Sequence, residues 1–435
     1  MQTKKWKINK NGIIPGMITI ILCLFSITST LIRYIIPYDK MRLLLILGCL
    51  GIEIFLILNA NWTKNSFLVL LQIILLASFP VFAMYNNTWG IANTSYYMCA
   101  LFMIMLCLNG IWNINLSFKI MYIAYALYGI CTILFYFTPN FYKNTIVNIF
   151  PDEKFRLIQT YNSGCMPGLT SHYSTNGMFL AIGLLISCSK MIANNDEKKK
   201  WLYNIQAVFF LIALLLTGKR AHLLFSVFGI YVVYSIVTFV RDKHRFNAFF
   251  KILGIILIIG IIGVIVLSVF PALAIVFARL QQYGNIDSGR FFIWQQAWNE
   301  FENNPVLGIG WKSFASTYYG FFSKDKIYDV HNVYIQLLCE TGIIGFSIYI
   351  LWFGNLLKGS IHQMKCLISN DYVSEQEKFW SIFAVGYQIF FLLYCITGNP
   401  LYDKMTFFPY FFSCGIVFYF DRRYSNLIKK NSIKK

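Results

Sequence analysis

The sequence predicts an all-α integral membrane protein with about 12 transmembrane helices and a large outer loop that carries an amphipathic helix. Three observations lead there. Of the 435 residues, 57% are hydrophobic and only 13% charged, about half the charged fraction of a soluble domain. So little polar surface cannot clothe a water-soluble body of this length. The apolar residues also fall in repeated blocks of about 20, the length that crosses a hydrocarbon core. Finally, the net charge of +19, from 37 Lys and Arg against 18 Asp and Glu, is distributed by side. That distribution is the positive-inside pattern of a membrane protein and removes the reason to expect a nucleic-acid partner.

Hydropathy places the spans near 13–32, 43–59, 66–85, 91–112, 119–138, 172–193, 201–217, 221–240, 249–270, 331–357, 379–397 and 406–420. The last is short and contains Pro409. With the N-terminus in the cytoplasm, the inner face carries 23 Lys and Arg and the outer face 14, on longer loops. Both termini are therefore expected inside, with Lys198-Lys199-Lys200, Arg241 to Arg245 and Arg422-Arg423 as local anchors. The basic N-terminal region followed by an apolar stretch reads as a retained signal anchor. Nine cysteines fall in these spans, and Cys165 and Cys366 fall in loops on opposite faces, which leaves no disulfide framework and no CxxC pair.

The chain reads as one polytopic domain over 1–435, without internal repeats. Two outer loops are long, a first at 139–171 and a large one at 271–330, and loops of such length are often functional. In the second, apolar groups at Phe291, Trp294, Trp298 and Phe301 recur with helical spacing opposite Gln295, Gln296, Asn299 and Glu302. Asp287 or Ser288 can cap that helix and Asn304-Pro305 can stop it. Its two tryptophans suit the outer membrane surface.

The unusual residues of the outer face are basic. Arg220 lies in the tight turn Thr217-Gly218-Lys219-Arg220-Ala221-His222, and Arg290 opens the amphipathic helix, where free backbone N–H groups already favour an anion. His331 and Asn332 open the tenth span, and His172 stands at the mouth of the sixth. Arginine grips a phosphate bidentately, and histidine exchanges a proton near neutral pH. Together they suit transfer from a phosphate-activated donor, whose leaving diphosphate needs charge stabilisation while the attacking hydroxyl needs a base. Plainer roles compete: an interfacial arginine can snorkel to headgroups, and a histidine at a span end can be a cap. Glu53 and Glu340 lie within spans, where a carboxylate is either functional or a hydrogen-bonded strut to a neighbouring helix. Outer carboxylates are scattered, with no DxD or HExxH. Walker, GxGxxG and GxSxG patterns are absent too, so neither a metal nor a cofactor is expected.

The stretch from Arg290 to Gly345 resembles the signature region of the O-antigen ligase and O-antigen polymerase superfamily of bacterial membrane glycosyltransferases. The resemblance rests on Gly289-Arg290 with Trp294, on Asn304-Pro305-Val306-Leu307-Gly308-Ile309-Gly310-Trp311, on His331-Asn332-Val333-Tyr334-Ile335, and on Glu340-Thr341-Gly342-Ile343-Ile344-Gly345. Thr217-Gly218-Lys219-Arg220 is similar to the family's Thr-x-Ser-Arg turn, with Lys219 in the serine's place, and Gly168 to Asn176 is similar to an earlier span opening. The resemblance thus covers roughly 168–345.

It implies a metal-independent glycosyltransferase of the bacterial cytoplasmic membrane that takes glycan from an undecaprenyl-diphosphate-linked oligosaccharide at the outer face. Arg220 and Arg290 would bind the donor diphosphate and stabilise it as it leaves. His331 would activate or orient the acceptor hydroxyl, and His172, Glu340 and Asn332 would support. A flippase and a chain-length regulator are the partners such a protein would meet. The leading reading is a polysaccharide polymerase (O-antigen, capsule or exopolysaccharide) that moves the growing chain to a lipid-linked repeat unit. The close alternative is a ligase that moves finished glycan to a lipid core or a protein. A transporter or lipid-linked sugar flippase is the alternative of another class. Transporters tend to carry repeats and midplane binding groups, whereas the distinctive residues here gather at one face.

Overall fold

The computed structural model describes residues 13–35, 51, 64–83, 90–241, 254, 289–317 and 329–425. The expected spans at 43–59 and 249–270, Glu53, the caps Asp287 and Ser288, and much of the 271–330 loop lie outside the described residues. Among the described residues, fourteen α-helices run in the order α1 (Ile13–Ile35), α2 (Lys64–Ala83), α3 (Gly90–Leu108), α4 (Ile114–Phe137), α5 (Pro139–Asn144), α6 (Lys154–Asn162), α7 (Tyr173–Ala193), α8 (Glu197–Leu216), α9 (Arg220–Arg241), α10 (Arg290–Asn303), α11 (Ser313–Thr317), α12 (Val333–Ile368), α13 (Glu375–Tyr394) and α14 (Lys404–Arg423). No strand occurs among the described residues. Ten of the expected spans coincide with long helices of this set. Among the described residues, five helices (α4, α7, α8, α9 and α12) are long and apolar enough to cross a membrane, so the chain is multi-pass by its helix composition.

The chain divides into two compact units. The first comprises Met1–Ile120, Gly289–Lys358 and Phe391–Ser425, and the second Met121–Ser288, Gly359–Phe390 and Asn426–Lys435. In the second unit α7 is the central helix, buried on every side from Asn176 to Ser189, while α8 turns Leu202, Ile205, Val208 and Ile212 outward. That spacing is one helical face, and apolar side chains with no protein neighbour belong against lipid. In the first unit α14 is the buried helix, including its Pro409. The expected weak last span is thus a core element. Its final turn is tied down by Arg422, which donates to the Leu108 carbonyl at the end of α3 at 3.0 Å. The buried hydroxyls of Tyr97 (α3) and Tyr349 (α12) bond at 2.7 Å, and Tyr349 also reaches the Leu76 carbonyl of α2 at 3.0 Å.

The long connection at 139–171 carries structure of its own: α5, two short 3-10 turns and α6. Two expectations are corrected. The helix of the tenth span continues past 357 to Ile368. Its polar extension Lys358-Gly359-Ser360-Ile361-His362 hides it from hydropathy, and Cys366 is consequently a buried helical residue rather than a loop residue. In α10 the face toward the protein is set by Ile293 and Ala297, with Trp294 beside them, while Phe291 and Trp298 point away. Bulk alone misled here: the small Ala297 lets the helix sit close, and the larger rings are left on the outer side.

Candidate functional site

In the first unit the residues from Gly289 to Gly345 build one tightly bonded block. Gly289, in the left-handed region at φ 77°, precedes Arg290 as the N-cap of α10, and the helix ends at Asn303 with Asn304 as C-cap. Arg290 is therefore the first helical residue, half-buried, and its guanidinium has no ion pair among the described residues. One turn on, the Trp294 indole N–H donates to the Val330 carbonyl at 2.9 Å, which ties α10 to the residue just before His331. Ile293 and Ala297 complete the seat against Phe314, Val330 and Cys339.

The segment from Asn304 to Trp311 matters because α12 is broken. Gly342 has φ 60° and ψ −170° inside that helix, so the carbonyls before the break and the N–H groups after it lose their helical partners. The segment supplies replacements on both sides. Ile309 and Gly310 donate to the Cys339 and Glu340 carbonyls at 3.0 and 2.9 Å, while Ile343 donates to Pro305 at 2.9 Å. This exchange requires bare backbones. A Cβ at Gly342 would collide with the Val306 carbonyl, and one at Gly308 with the backbone of Glu340 and Thr341. The two signature stretches are thus two halves of one backbone clasp.

Glu340 sits at that clasp and is almost wholly buried. Its carboxylate accepts from the Lys312 backbone N–H at 2.8 Å, the Tyr402 hydroxyl at 2.7 Å and the Gln336 amide at 2.9 Å. Burial and the neighbouring carboxylate hold the Tyr402 phenol well above its usual pKa, so it stays a donor. Of the two readings open for Glu340, the strut is the one its contacts describe. Lys312 in turn pairs with Asp329 at 3.2 Å and lies 5.0 Å from the Tyr402 ring, on which Trp311 stacks at 4.6 Å.

His331 and Asn332 stand outside the helix rather than opening it, because α12 begins at Val333. Asn332 is the cap: its side-chain oxygen accepts from the N–H groups of Tyr334 and Ile335 at 3.0 and 3.2 Å. Asn332→Ala is expected to cost about 1 kcal/mol of stability, read as a lower unfolding temperature of the purified protein. His331 has φ 57°, a conformation that side chains other than glycine adopt rarely and at a cost. Neighbours hold it there. The Val333 N–H donates to Cys395 at 2.8 Å, the Tyr334 hydroxyl to Leu392 at 2.8 Å, and the Asn399 side chain lies 3.4 Å from His331 Nδ1.

The second unit holds Arg220 and His172. Gly218, at φ 69°, turns the chain between α8 and α9 directly over Cys165, whose sulfur occupies the space a Cβ would need. Arg220 is the first residue of α9, and one of its terminal guanidinium nitrogens is buried without a hydrogen-bond partner. Lys219, which takes the serine's place in the turn, lies over the Tyr173 ring at 5.0 Å. His172 is the N-cap of α7, with its Nδ1 accepting from the Ser174 N–H at 3.1 Å. That is the plainer of the roles open to it. His222 is fully buried, with its ring 6.1 Å from that of Phe390.

The structure therefore gathers Arg290, His331, Asn332 and Glu340 in one unit and places Arg220 and His172 in the other. Three residues of the first block escaped the sequence reading: Lys312, Asn399 and Tyr402. Only Lys312 had a local signal, since it follows Trp311 at the end of a recognised motif.

By class, this is an all-helical, multi-pass membrane chain with two arginines at helix starts and a histidine held in a strained loop. Residues 205–350 match the O-antigen ligase family model, from within α8 to within α12. Thr217 to Arg220 and the whole block from Gly289 to Gly345 lie inside that match, while Gly168 to Asn176 lies before it. No curated protein matches the chain.

Proposed function

We propose that this protein is a polysaccharide polymerase of the bacterial cytoplasmic membrane. It moves glycan from an undecaprenyl-diphosphate-linked donor to a lipid-linked repeat unit at the outer face. The observation that carries the reading is the O-antigen ligase family match over the stretch that contains Arg220, Arg290 and His331. Both termini are assigned to the cytoplasm on the Lys and Arg distribution, which favours the inner side.

The chemistry is a displacement at the anomeric carbon of the donor's first sugar. The acceptor hydroxyl oxygen forms the new bond, the bond to the diphosphate breaks, and the diphosphate departs with the electron pair. Arg290 has no competing carboxylate among the described residues and sits where helix N–H groups add positive potential. Arg220, with its unpartnered nitrogen, is assigned a diphosphate-binding role. His331 takes the proton released by the acceptor. Neither a metal nor a cofactor has a place in this scheme.

His331→Ala is expected to lower transfer about 100- to 10,000-fold, the range a positioned base supplies. His362→Ala, in the distal part of α12, should leave the rate unchanged. The glycan profile of cells lacking the protein separates the readings. Single repeat units held on the lipid carrier, with polymer lost, mark a polymerase. Full-length glycan stranded on the carrier marks a ligase, and repeat units trapped at the inner face mark a flippase.

A further inference from the structure

We propose that Asn399 is a positioning residue that holds His331 in the tautomer a base requires. The inference rests on the reading of His331 as that base. To take a proton through Nε2, a neutral imidazole must carry its own proton on Nδ1 and give it to an acceptor. The Asn399 side chain lies 3.4 Å from His331 Nδ1. With its amide nitrogen toward the ring, the Asn399 carbonyl oxygen is buried without a partner. The two ends of an amide are told apart only by their hydrogen bonds. Turned over, the oxygen accepts the Nδ1 proton and Nε2 is left as the acceptor.

The surrounding backbone is built to hold this pair. Asn399 lies on the turn from Cys395 to Asp403, which is closed by bonds from Thr397 to Tyr394 and from Tyr402 to Asn399. The same turn grips the other side of the pair at two points, through the Cys395 carbonyl at Val333 and the Tyr402 hydroxyl at Glu340. On the His331 side, Trp294 fixes Val330 and the Asn332 cap fixes the start of α12. A histidine at φ 57° clamped before and after, with an amide beside its ring, is an arrangement that sets ring orientation.

Among the described residues, Lys312 and Asp329 are paired with each other, Glu340 is held by three donors, Asp403 caps α14 through the Met405 N–H at 3.0 Å, and Lys404 lies 5.7 Å from the Phe25 ring. Glu300 and Glu302 stand on α10, where Glu302 accepts from the Trp298 indole N–H at 2.8 Å. Arg290, one turn before the tryptophan that binds Val330, has no ion pair among the described residues.

The test uses the full chain in proteoliposomes, with lipid-linked repeat units extracted from cells lacking the protein as substrate. Asn399→Ala should lower kcat about tenfold or more, part of what a base supplies, with KM for the lipid-linked substrate unchanged. Asn399→Asp keeps the shape and can only accept. Its negative charge favours the protonated ring, so the neutral base appears only at higher pH. The acid limb of the pH–rate profile should therefore move up by about one pH unit or more, with activity kept on the alkaline side. A limb left at the wild-type position in Asn399→Asp overturns the proposal, even if Asn399→Ala fails to insert. A His331→Ala variant run alongside separates the causes. If it turns over at the wild-type rate, the base reading itself falls. If it is inactive while the Asn399→Asp limb has not moved, only the role of Asn399 falls.

Discussion

Replacing Arg290 with alanine is expected to lower transfer about 100- to 1,000-fold, the loss that follows removal of one preorganised charge from a developing anion. The protein should remain inserted and abundant. Arg290 is half-buried at the first position of α10, and no salt bridge or hydrogen bond of the described structure depends on its guanidinium. The side that anchors α10 is Ile293, Trp294 and Ala297, so truncation at 290 removes charge without removing the seat. Lysine in its place keeps the charge but not the planar fork, and should recover only a small part of the rate. The check is transfer measured per unit of detergent-extracted, monodisperse protein.

The second large effect is structural. Gly342→Ala should prevent normal accumulation of the folded protein. A methyl group there collides with the Val306 carbonyl, and the position has a left-handed φ that alanine adopts at a cost. Relief would mean opening the clasp between the 304–311 segment and α12. That would strand the Cys339 and Glu340 carbonyls and remove the Lys312 N–H from the buried Glu340 carboxylate. Breaking a buried network of this kind belongs to the short list of substitutions that cost more than about 4 kcal/mol. Gly354→Ala is the control, because a Cβ there meets nothing within 4 Å. The measurement is the fraction of extracted protein that elutes as a single species, with Gly354→Ala matching wild type and Gly342→Ala lost.

These two variants also mark how far the sequence could be read. The helices were legible because hydropathy reports an average over about 20 residues, and such averages found α1, α4, α7 and α9 nearly to their ends. The same averaging concealed the break at Gly342, since Thr341 to Ile344 is as apolar as the span around it. It also ended α12 too early, where the helix goes on through polar residues to Ile368. Arg220, Arg290 and His331 stood out because a charge or an imidazole at a span end has few reasons to be there. Their neighbours did not. Tyr402 meets Glu340 across 62 positions and Asn399 meets His331 across 68, and pairs so distant leave no periodicity to detect. The family match then drew a boundary the motifs had not: it begins at residue 205, beyond the Gly168–Asn176 stretch, where His172 serves as a helix cap.

The division of labour is physically economical. The Gly342 break exchanges regular helix bonds for bonds to the 304–311 segment, and the buried Glu340 fixes that segment to the Tyr402 turn. The same turn reaches His331 through Asn399. One clasp therefore governs where the histidine stands, and α10, seated on Phe314, Val330 and Cys339 of the same block, presents Arg290.

Reconstitution is the decisive test of transfer between two lipid-linked glycans. The purified full chain would be placed in liposomes with lipid-linked repeat units extracted from cells lacking the protein, and with no other enzyme. The expected product is a ladder of longer glycans still attached to the lipid, with one undecaprenyl diphosphate released for each bond made, and no ladder with Arg290→Ala. Unchanged repeat units after exposure to the folded, monodisperse wild-type protein would contradict this.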